Sequence, residues 1–597
     1  LALTLLVVNA YAAAIFGRLK NLPLTFLGGL AIGLGVSYWN WLSGTGRKWP
    51  WLSELRSAIP VVILFAILIV LPQDRLRGNS LTKYKESFNI PSIKSSLSWG
   101  LILIATVSAC TLILDAKWEF TLSKGISFAI IGLSMVLLTG YAGEINLAPL
   151  AFAGIGAIAA YQFDVGSAVE TGSGFAILAV LLAGFFGYLV FPAFGLRKSK
   201  LLLAVLSFAA IVLFLVTLFD ETSGTGIASR ETMSFSGLLI AALIAGAVGA
   251  VVALPALRLR GLYLGLATFA FAIFVDKMIY KQRQTLSLDI PFIGDGEDIT
   301  FNIFNNGALN IPRPGFFGIN FRQNQSAMLI LLAITFSILA VLLVALRRST
   351  YGRQLAALRD SPAACATLGL NMVKLKLSIF TLAAAIAGFG GALHASNLRA
   401  IQEDAPFTVF EGLALFMLTV VGGIGYISGA LIGGILYGTL FLVTADFWDK
   451  LATDWASFSW FFTLLHDFFI FLGPAVAGIG LGRNPNGVAS QIFNGYRPLK
   501  EKSNRGLVVG AITLVISFWL FRVTQVFDGW VFLLLSTPVI LLCPLIADAK
   551  TKDKKSRNNN TMELIGIDTE FTDDIVKELD QKLSLPNSVS KNHKRRI

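Results

Sequence analysis

The chain has 597 residues, of which 55% are hydrophobic and only 14% charged, a balance that excludes an ordinary soluble domain and calls for a bilayer. Its formal net charge is +13, but the Lys and Arg residues fall in short loops between apolar windows, so they are read as topology signals and not as a nucleic-acid face. Cys110 and Cys543 lie in apolar windows and Cys365 in a basic loop, which suggests no disulfide framework and no thiol or metal chemistry.

Apolar windows of about 20 residues, long enough to cross the hydrocarbon core as helices, recur from Leu1 to Ile546 without the period-two alternation of a barrel strand. In chain order they fall near 1–16, 24–42 and 57–72, then near 99–114, 120–139, 141–162, 174–195, 200–219, 236–256, 261–280 and 327–346. Four follow near 375–396, 409–424, 426–445 and 461–481, and a last pair near 508–524 and 529–546. The expected fold class is therefore all-α, a polytopic transmembrane helical bundle of roughly seventeen spans. The opening run has no Met and no basic region ahead of it, so it is not read as a signal peptide, and the sequence is expected to begin partway into a longer protein.

Charge supports the count. If the loop from Arg75 to Lys94 is cytoplasmic, strict alternation also puts Arg197-Lys198-Lys200, Arg258-Arg260, Arg347 to Lys376 and Arg483 to Arg505 inside, and all are basic. The polar segment 285–325, the turn Asp220-Glu221 and the stretch Asp446 to Asp454 then fall outside, and none is a basic cluster. Lys277, Lys281 and Arg283 are the exception, at the outer end of a span where they can snorkel or face a pathway. An internal echo links Phe16 to Gly33 with Val421 to Gly438, each a turn-rich loop followed by a Gly-Gly pair that opens the next span. Two related halves fused in one chain explain it.

The densest motif is Tyr351 to Ala395, YGRQLAALRDSPAACATLGLNMVKLKLSIFTLAAAIAGFGGALHA. Its first part is a charged, Ala-rich amphipathic helix with Leu355, Leu358 and Leu368 spaced to share an apolar side; its second part re-enters the membrane through Gly and Ala suited to close helix packing. A second stretch, Gly140 to Tyr161, GYAGEINLAPLAFAGIGAIAAY, carries Gly140, Gly143, Gly154 and Gly156, which allow close backbone approach or a helix break. A third is Leu257 to Phe271, LRLRGLYLGLATFAF, and a fourth Asn310 to Gly318, NIPRPGFFG. Within a span a carboxylate is costly, so Glu144 is a functional candidate, with a membrane-interface position beside Tyr141 as the plain alternative. Glu411 and His394 are single polar residues read as packing or interface groups. The acidic run Asp295 to Asp298 lacks calcium-loop spacing.

Together these stretches resemble the permeases of ABC importers, and within them the branched-chain amino acid (Liv-type) family. The resemblance covers residues 95–490 as an M-like permease half and 1–80 as the end of an H-like half. It implies the end of a first half over 1–80, a cytoplasmic linker 81–98 and a second half 99–490; outside the resemblance, the apolar windows add an extra helix pair 491–546 and the charged, apolar-poor composition predicts a polar, disordered cytoplasmic tail 547–597. It further implies an ATPase-coupling loop built from Arg353, Leu358, Arg359, Asp360, Ala363, Ala364, Gly369 and Leu370. The substrate pathway would include Tyr141, Gly143, Glu144, Asn146, Gly154, Gly156, Tyr263 and Thr268, with Arg258 and Arg260 as topology anchors. Family members commonly carry Gln, Ser and a Gly-His pair where this chain has Glu144, Asn146, Ala148 and Pro149, which bears on substrate and not on architecture.

No Gly-x-x-x-x-Gly-Lys-Ser/Thr phosphate loop occurs, so the chain is expected to hold no cofactor and to be no enzyme, with ATP on separate ATPase subunits. The partners expected are those ATPase subunits on the cytoplasmic side, an extracytoplasmic substrate-binding protein, membrane lipid and, where one chain does not supply both halves, a second permease. The location implied is the bacterial plasma (inner) membrane with the C-terminal tail cytoplasmic. Urea or short-amide uptake is the alternative within the family. An ion-coupled carrier is the alternative outside it, with only Glu144 and Asp276 as relay candidates.

Overall fold

The computed structural model describes residues 13–14, 21–44, 91–162, 173–194, 198–220, 233–256, 262–280, 286–288, 299–301, 308–316, 319–321, 324–402, 407–468, 487–500 and 504–524, with scattered positions in 532–549 and residue 581. The expectations for 1–16, 57–72, the basic loop 75–90, the acidic run 295–298, the turn at 483–486, Arg258 and Arg260, and the tail beyond 549 lie outside the described residues or touch them at single positions. The chain divides into two units, Leu1–Ser490 and Gln491–Ile597.

Helices build the first unit. They are α1 (Leu22–Gly44), α2 (Ile93–Thr111), α3 (Ala116–Met135), α4 (Pro149–Ala160), α5 (Ser173–Val190), α6 (Lys198–Asp220), α7 (Phe235–Ala256) and α8 (Leu262–Val275). After a loop region come α9 (Gln325–Arg348), α10 (Thr350–Asp360), α11 (Pro362–Thr367), α12 (Met372–Leu398), α13 (Val409–Gly423), α14 (Ile427–Ile435), α15 (Phe441–Asp454) and α16 (Ser459–Asp467). Three helices run on into π-helical turns, at Val136–Tyr141, Asp276–Tyr280 and Leu436–Leu440. Among the described residues seven helices are long and apolar enough to cross a membrane, those starting at Leu22, Ile93, Ala116, Phe235, Gln325, Met372 and Arg505. The architecture is thus the expected all-α polytopic bundle. Among the described residues the strands are short antiparallel pairs, such as Ala308–Asn310 on Ala400–Gln402, where Leu309 faces Ile401.

The core sits where small residues let helices touch. A Cβ on Gly156 would strike the backbone of Gly388, one on Gly391 the backbone of Ala153, and one on Gly434 the backbone of Ala129. Helices α3, α4, α7, α12 and α14 therefore pack nearly backbone to backbone, the way membrane helices associate when lipid removes the hydrophobic drive. Around them α2 exposes Trp99, Leu101 and Ile102, an apolar face suited to lipid.

The window at 141–162 is not one span. Residues 142–148 leave the helix, Gly143 takes the left-handed φ of 73°, and α4 restarts with Pro149 in its first turn, where a missing N–H costs nothing. The non-helical stretch keeps its donors satisfied within protein: Gly143 N donates to Thr139 O at 3.2 Å, Glu144 N to Leu138 O at 3.2 Å, Leu147 N to Thr268 Oγ1 at 3.0 Å and Ala148 N to Asn146 Oδ1 at 3.0 Å. Such a break is tolerated in a membrane only when buried in this way.

In the second unit, α17 (Arg505–Val523) buries none of its residues, and Val509, Ile512, Ile516 and Leu520 are exposed, again a surface for lipid. Tyr496 donates to the carbonyl of Ile540 at 2.9 Å.

Candidate functional site

Three side-chain caps cut residues 349–371 into a helical cluster at the basic end of α9. Ser349 Oγ accepts from Gly352 N at 3.3 Å and starts α10, Ser361 Oγ accepts from Ala364 N at 3.4 Å and starts α11, and Asn371 Oδ1 accepts from Lys374 N at 3.0 Å and starts α12. Each hydroxyl or amide meets an N–H that the helix start leaves orphaned. The end of α11 is a complete Schellman turn: Gly369 N bonds to Ala366 O at 3.2 Å and Leu370 N to Cys365 O at 3.0 Å, with Gly369 at φ 75°.

The apolar side proposed for Leu355, Leu358 and Leu368 holds for only two of them. Leu355 and Leu358 are buried, whereas Leu368 is 77% exposed, because the cap at Ser361 and Pro362 restart the helix and reset its phase. What faces outward is the strip Ala364, Ala366, Thr367, Leu368, Gly369, Asn371 and Val373, whose small and apolar members include Ala364, Leu368, Gly369 and Val373, with Arg353, Asp360 and Lys374 also exposed. A Cβ on Gly369 would meet nothing within 4 Å. Leu370 and Arg359 are half-buried, Leu358 lies beneath the strip, and the side chain of Ala363 is outside the described residues.

This cluster is bolted to the bundle. Tyr351 stacks on Phe194 with centroids 4.7 Å apart and its hydroxyl meets Ser378 Oγ at 2.8 Å. Ser378 uses its own proton on Leu375 O, so the phenol is the donor, and burial pushes its pKa up. Arg359 donates to Gly140 O at 2.8 Å. The Arg347 guanidinium lies 4.6 Å from the centre of the Tyr141 ring, a cation–π contact. Gly143 is pressed against the Arg359 side chain.

The pathway candidates separate into two groups. Tyr141, Gly143 and Glu144 sit beside the α10–α12 cluster. There Glu144 Oε1 meets Lys376 Nζ at 2.5 Å, with both side chains nearly buried. Asn146, Gly154, Gly156 and Thr268 lie within the bundle: Thr268 Oγ1 joins Leu147 N to α8, and Gly154 is filled over by the Tyr280 hydroxyl, which donates to Ala151 O at 2.9 Å. Tyr263 is in α8, and its side chain lies outside the described residues. Sequence reasoning missed Lys376 as the partner of Glu144; the available signal was a second lysine, after Lys374, one turn inside a helix that re-enters the membrane.

At the opposite end of the bundle, Ser326 donates to Glu119 at 2.7 Å, Asn397 Nδ2 to Ser123 Oγ at 2.8 Å and Gln325 to Ser123 Oγ at 3.2 Å. Arg313, from the Ile-Pro-Arg-Pro segment, is buried and donates to Gln325 Oε1 and to the carbonyl of Phe321. Burial, with Arg399 adding like-charge repulsion, lowers its pKa to about 10.

Residues 205–472 match the family model described as branched-chain amino acid transport system / permease component. The high-affinity branched-chain amino acid transport system permease protein LivM of Escherichia coli K12 is 29% identical over 221 residues, 33% of this chain and 48% of that protein. The probable branched-chain amino acid transport permease protein LivH of Methanocaldococcus jannaschii is 34% identical over 125 residues, 21% of this chain and 36% of its own. The fructose import permease protein FrcC of Rhizobium meliloti is 27% identical over 131 residues, with the same 21% and 36% shares. The chain thus spans about half the length, or less, of these curated relatives. No solved structure matches it. The family match thus runs across the helices that form the cluster, within a chain built as a multi-pass helical bundle, and it is to the permease components of branched-chain amino acid transport systems that this part of the chain is similar.

Proposed function

We propose that the chain is the membrane-spanning part of an ABC importer of branched-chain amino acids in the bacterial inner membrane, with ATP bound and hydrolysed on separate subunits. The observation that carries this reading is the exposed strip that includes Ala364, Leu368, Gly369 and Val373, on a helical cluster whose opposite side is buried and tied to the bundle through Tyr351, Arg359 and Lys376. A solvent-facing strip this rich in small and apolar residues, and held this firmly, can receive a partner and pass on its movement. The ATPase subunits would dock there, and a substrate-binding protein at the end that carries Arg313. The region 1–80 would be the end of the first, H-like half, and 99–490 the second, M-like half.

The family is one of permease subunits and not of catalysts. Transport would be alternating access: closure of the ATPase pair displaces α11, and the Arg359–Gly140 and Glu144–Lys376 contacts carry that displacement to the break at 142–148. Isolation of the tagged chain from its native membrane in mild detergent, with co-purifying chains identified by mass, tests this. ATP-binding-cassette subunits and a binding protein loaded with leucine, isoleucine or valine are expected. Absence of any ATPase, under conditions where a known ABC complex survives, sinks the reading. Sugar import is a second reading, favoured by the similarity to FrcC and to the ribose import permease protein RbsC of Bacillus subtilis; a sugar on the binding protein would establish it.

A further inference from the structure

Glu411 and His394, single polar residues in the sequence, meet in one closed ring of side chains near the end of the bundle away from α11. His394 lies 4.2 Å, centroid to centroid, from Phe128, and Phe128 lies 4.8 Å from Tyr437. Tyr437 is within electrostatic range of Glu411, Glu411 of Asp276, and Asp276 of Tyr280. Tyr280 lies 6.4 Å from Phe407, and Phe407 lies 5.9 Å from His394, which closes the ring. The members come from α3, α12, the second residue before α13, α13 itself, and the π-helical turns Asp276–Tyr280 and Leu436–Leu440. Turns of that kind interrupt helices most often at functional sites.

The hydrogen-bond inventory fixes what the ring offers. Ser127 uses its hydroxyl proton on Lys124 O at 2.8 Å, so it accepts from His394 Nδ1 at 2.7 Å, and the neutral imidazole then presents Nε2 as a bare acceptor. His394 is 1% exposed, and its Nε2 has no hydrogen-bond partner. Glu411 Oε2 is likewise buried without one. The unpartnered Glu411 oxygen, the His394 acceptor nitrogen and the aromatic faces, with the Asp276 charge nearby, complement a positively charged multiple donor, and Lys124, within electrostatic range of His394, is the opposing charge. They do not suit an anion, and a neutral polyol would gain nothing from the charge.

We infer that the ring formed by His394, Phe128, Tyr437, Glu411, Asp276, Tyr280 and Phe407 is a binding site for the ammonium group of an amino-acid substrate. The inference deepens the importer reading and rests on it, and it favours an amino acid over a sugar. The test is thermal stabilisation of the purified full-length chain, in complex with its ATPase subunits, by L-leucine, 3-methylbutylamine (no carboxylate) and 4-methylpentanoate (no ammonium). Leucine and the amine are expected to stabilise the wild type, and the acid is not. Glu411→Gln should weaken the amine response about ten- to hundredfold, the size expected for a charged hydrogen bond, while Glu411→Asp keeps most of it. Equal stabilisation by the acid, no response to leucine or amine, a response to Na⁺ alone, or an unchanged response in Glu411→Gln would each overturn the site. Should Glu411→Gln fail to fold, the wild-type ligand series and Glu411→Asp decide. ATPase stimulation by loaded binding protein is measured alongside: its absence in the wild type defeats the importer reading, whereas its presence with no amine response defeats only the site.

Discussion

Glu144 and Lys376 are opposite charges nearly withdrawn from solvent and 2.5 Å apart, so each exists in that place because of the other. Glu144→Gln or Lys376→Met alone leaves one buried charge uncompensated and should cost about 3–5 kcal/mol. The double replacement Glu144→Gln with Lys376→Met should cost less than either, read from melting temperatures in detergent as a double-mutant cycle. Tyr351→Phe loses one hydrogen bond yet leaves Ser378 bonded to Leu375 O, so a loss of about 1 kcal/mol is expected, against about 3–5 kcal/mol for Tyr351→Ala, which also empties the space against Phe194. The sequence made Glu144 stand out because a carboxylate among glycines and apolar residues has no local reason to be there. Its partner was not legible: the two are far apart in the chain, and Lys374 and Lys376 at a helix start both read as surface anchors until the fold leaves Lys374 exposed and buries Lys376. The same holds for His394 and Glu411, whose neighbours come from helices distant in sequence.

Within the α10–α12 cluster, local chemistry decides the elements. Ser361→Ala removes the cap of α11 and should cost about 1 kcal/mol. Gly369→Ala forces a Cβ into the left-handed region and should cost about 1–2 kcal/mol without a steric clash, since the space around it is open. Ala364→Glu leaves the fold alone but charges the exposed strip, so uptake per ATP hydrolysed should collapse while the melting temperature stays within about 0.5 kcal/mol of wild type. Unchanged uptake would remove that strip from the mechanism. Serine, proline and glycine announced a cluster here, and the helix boundaries follow from them. The error over Leu368 came from carrying one helical period through Pro362, where the chain starts a new helix with a new phase.

Across the whole bundle, composition and window length were enough for the helical class, because lipid leaves the backbone no other economical way to bond itself. Window counting failed at 142–148, because a window of span length averages Glu144 and Asn146 into the apolar residues on either side, and the break is marked locally by Gly143 and Pro149. A sterically larger residue in the core, as in Gly391→Val, should separate α12 from α4 and abolish a monodisperse peak in fluorescence-detected size-exclusion chromatography, since that position already abuts the Ala153 backbone.

The contacts among α4, α7 and α12 carry a mechanical consequence. Where glycines and alanines meet backbone to backbone there are no long side chains to change rotamer, so these helices have no compressible layer between them and must move as one stiff block. Bending then concentrates in the non-helical stretch 142–148. Its first turn is clamped by Arg359 and Lys376 and its last residues are held on Thr268, which makes seven residues the joint between the surface that receives force and the interior that responds to it.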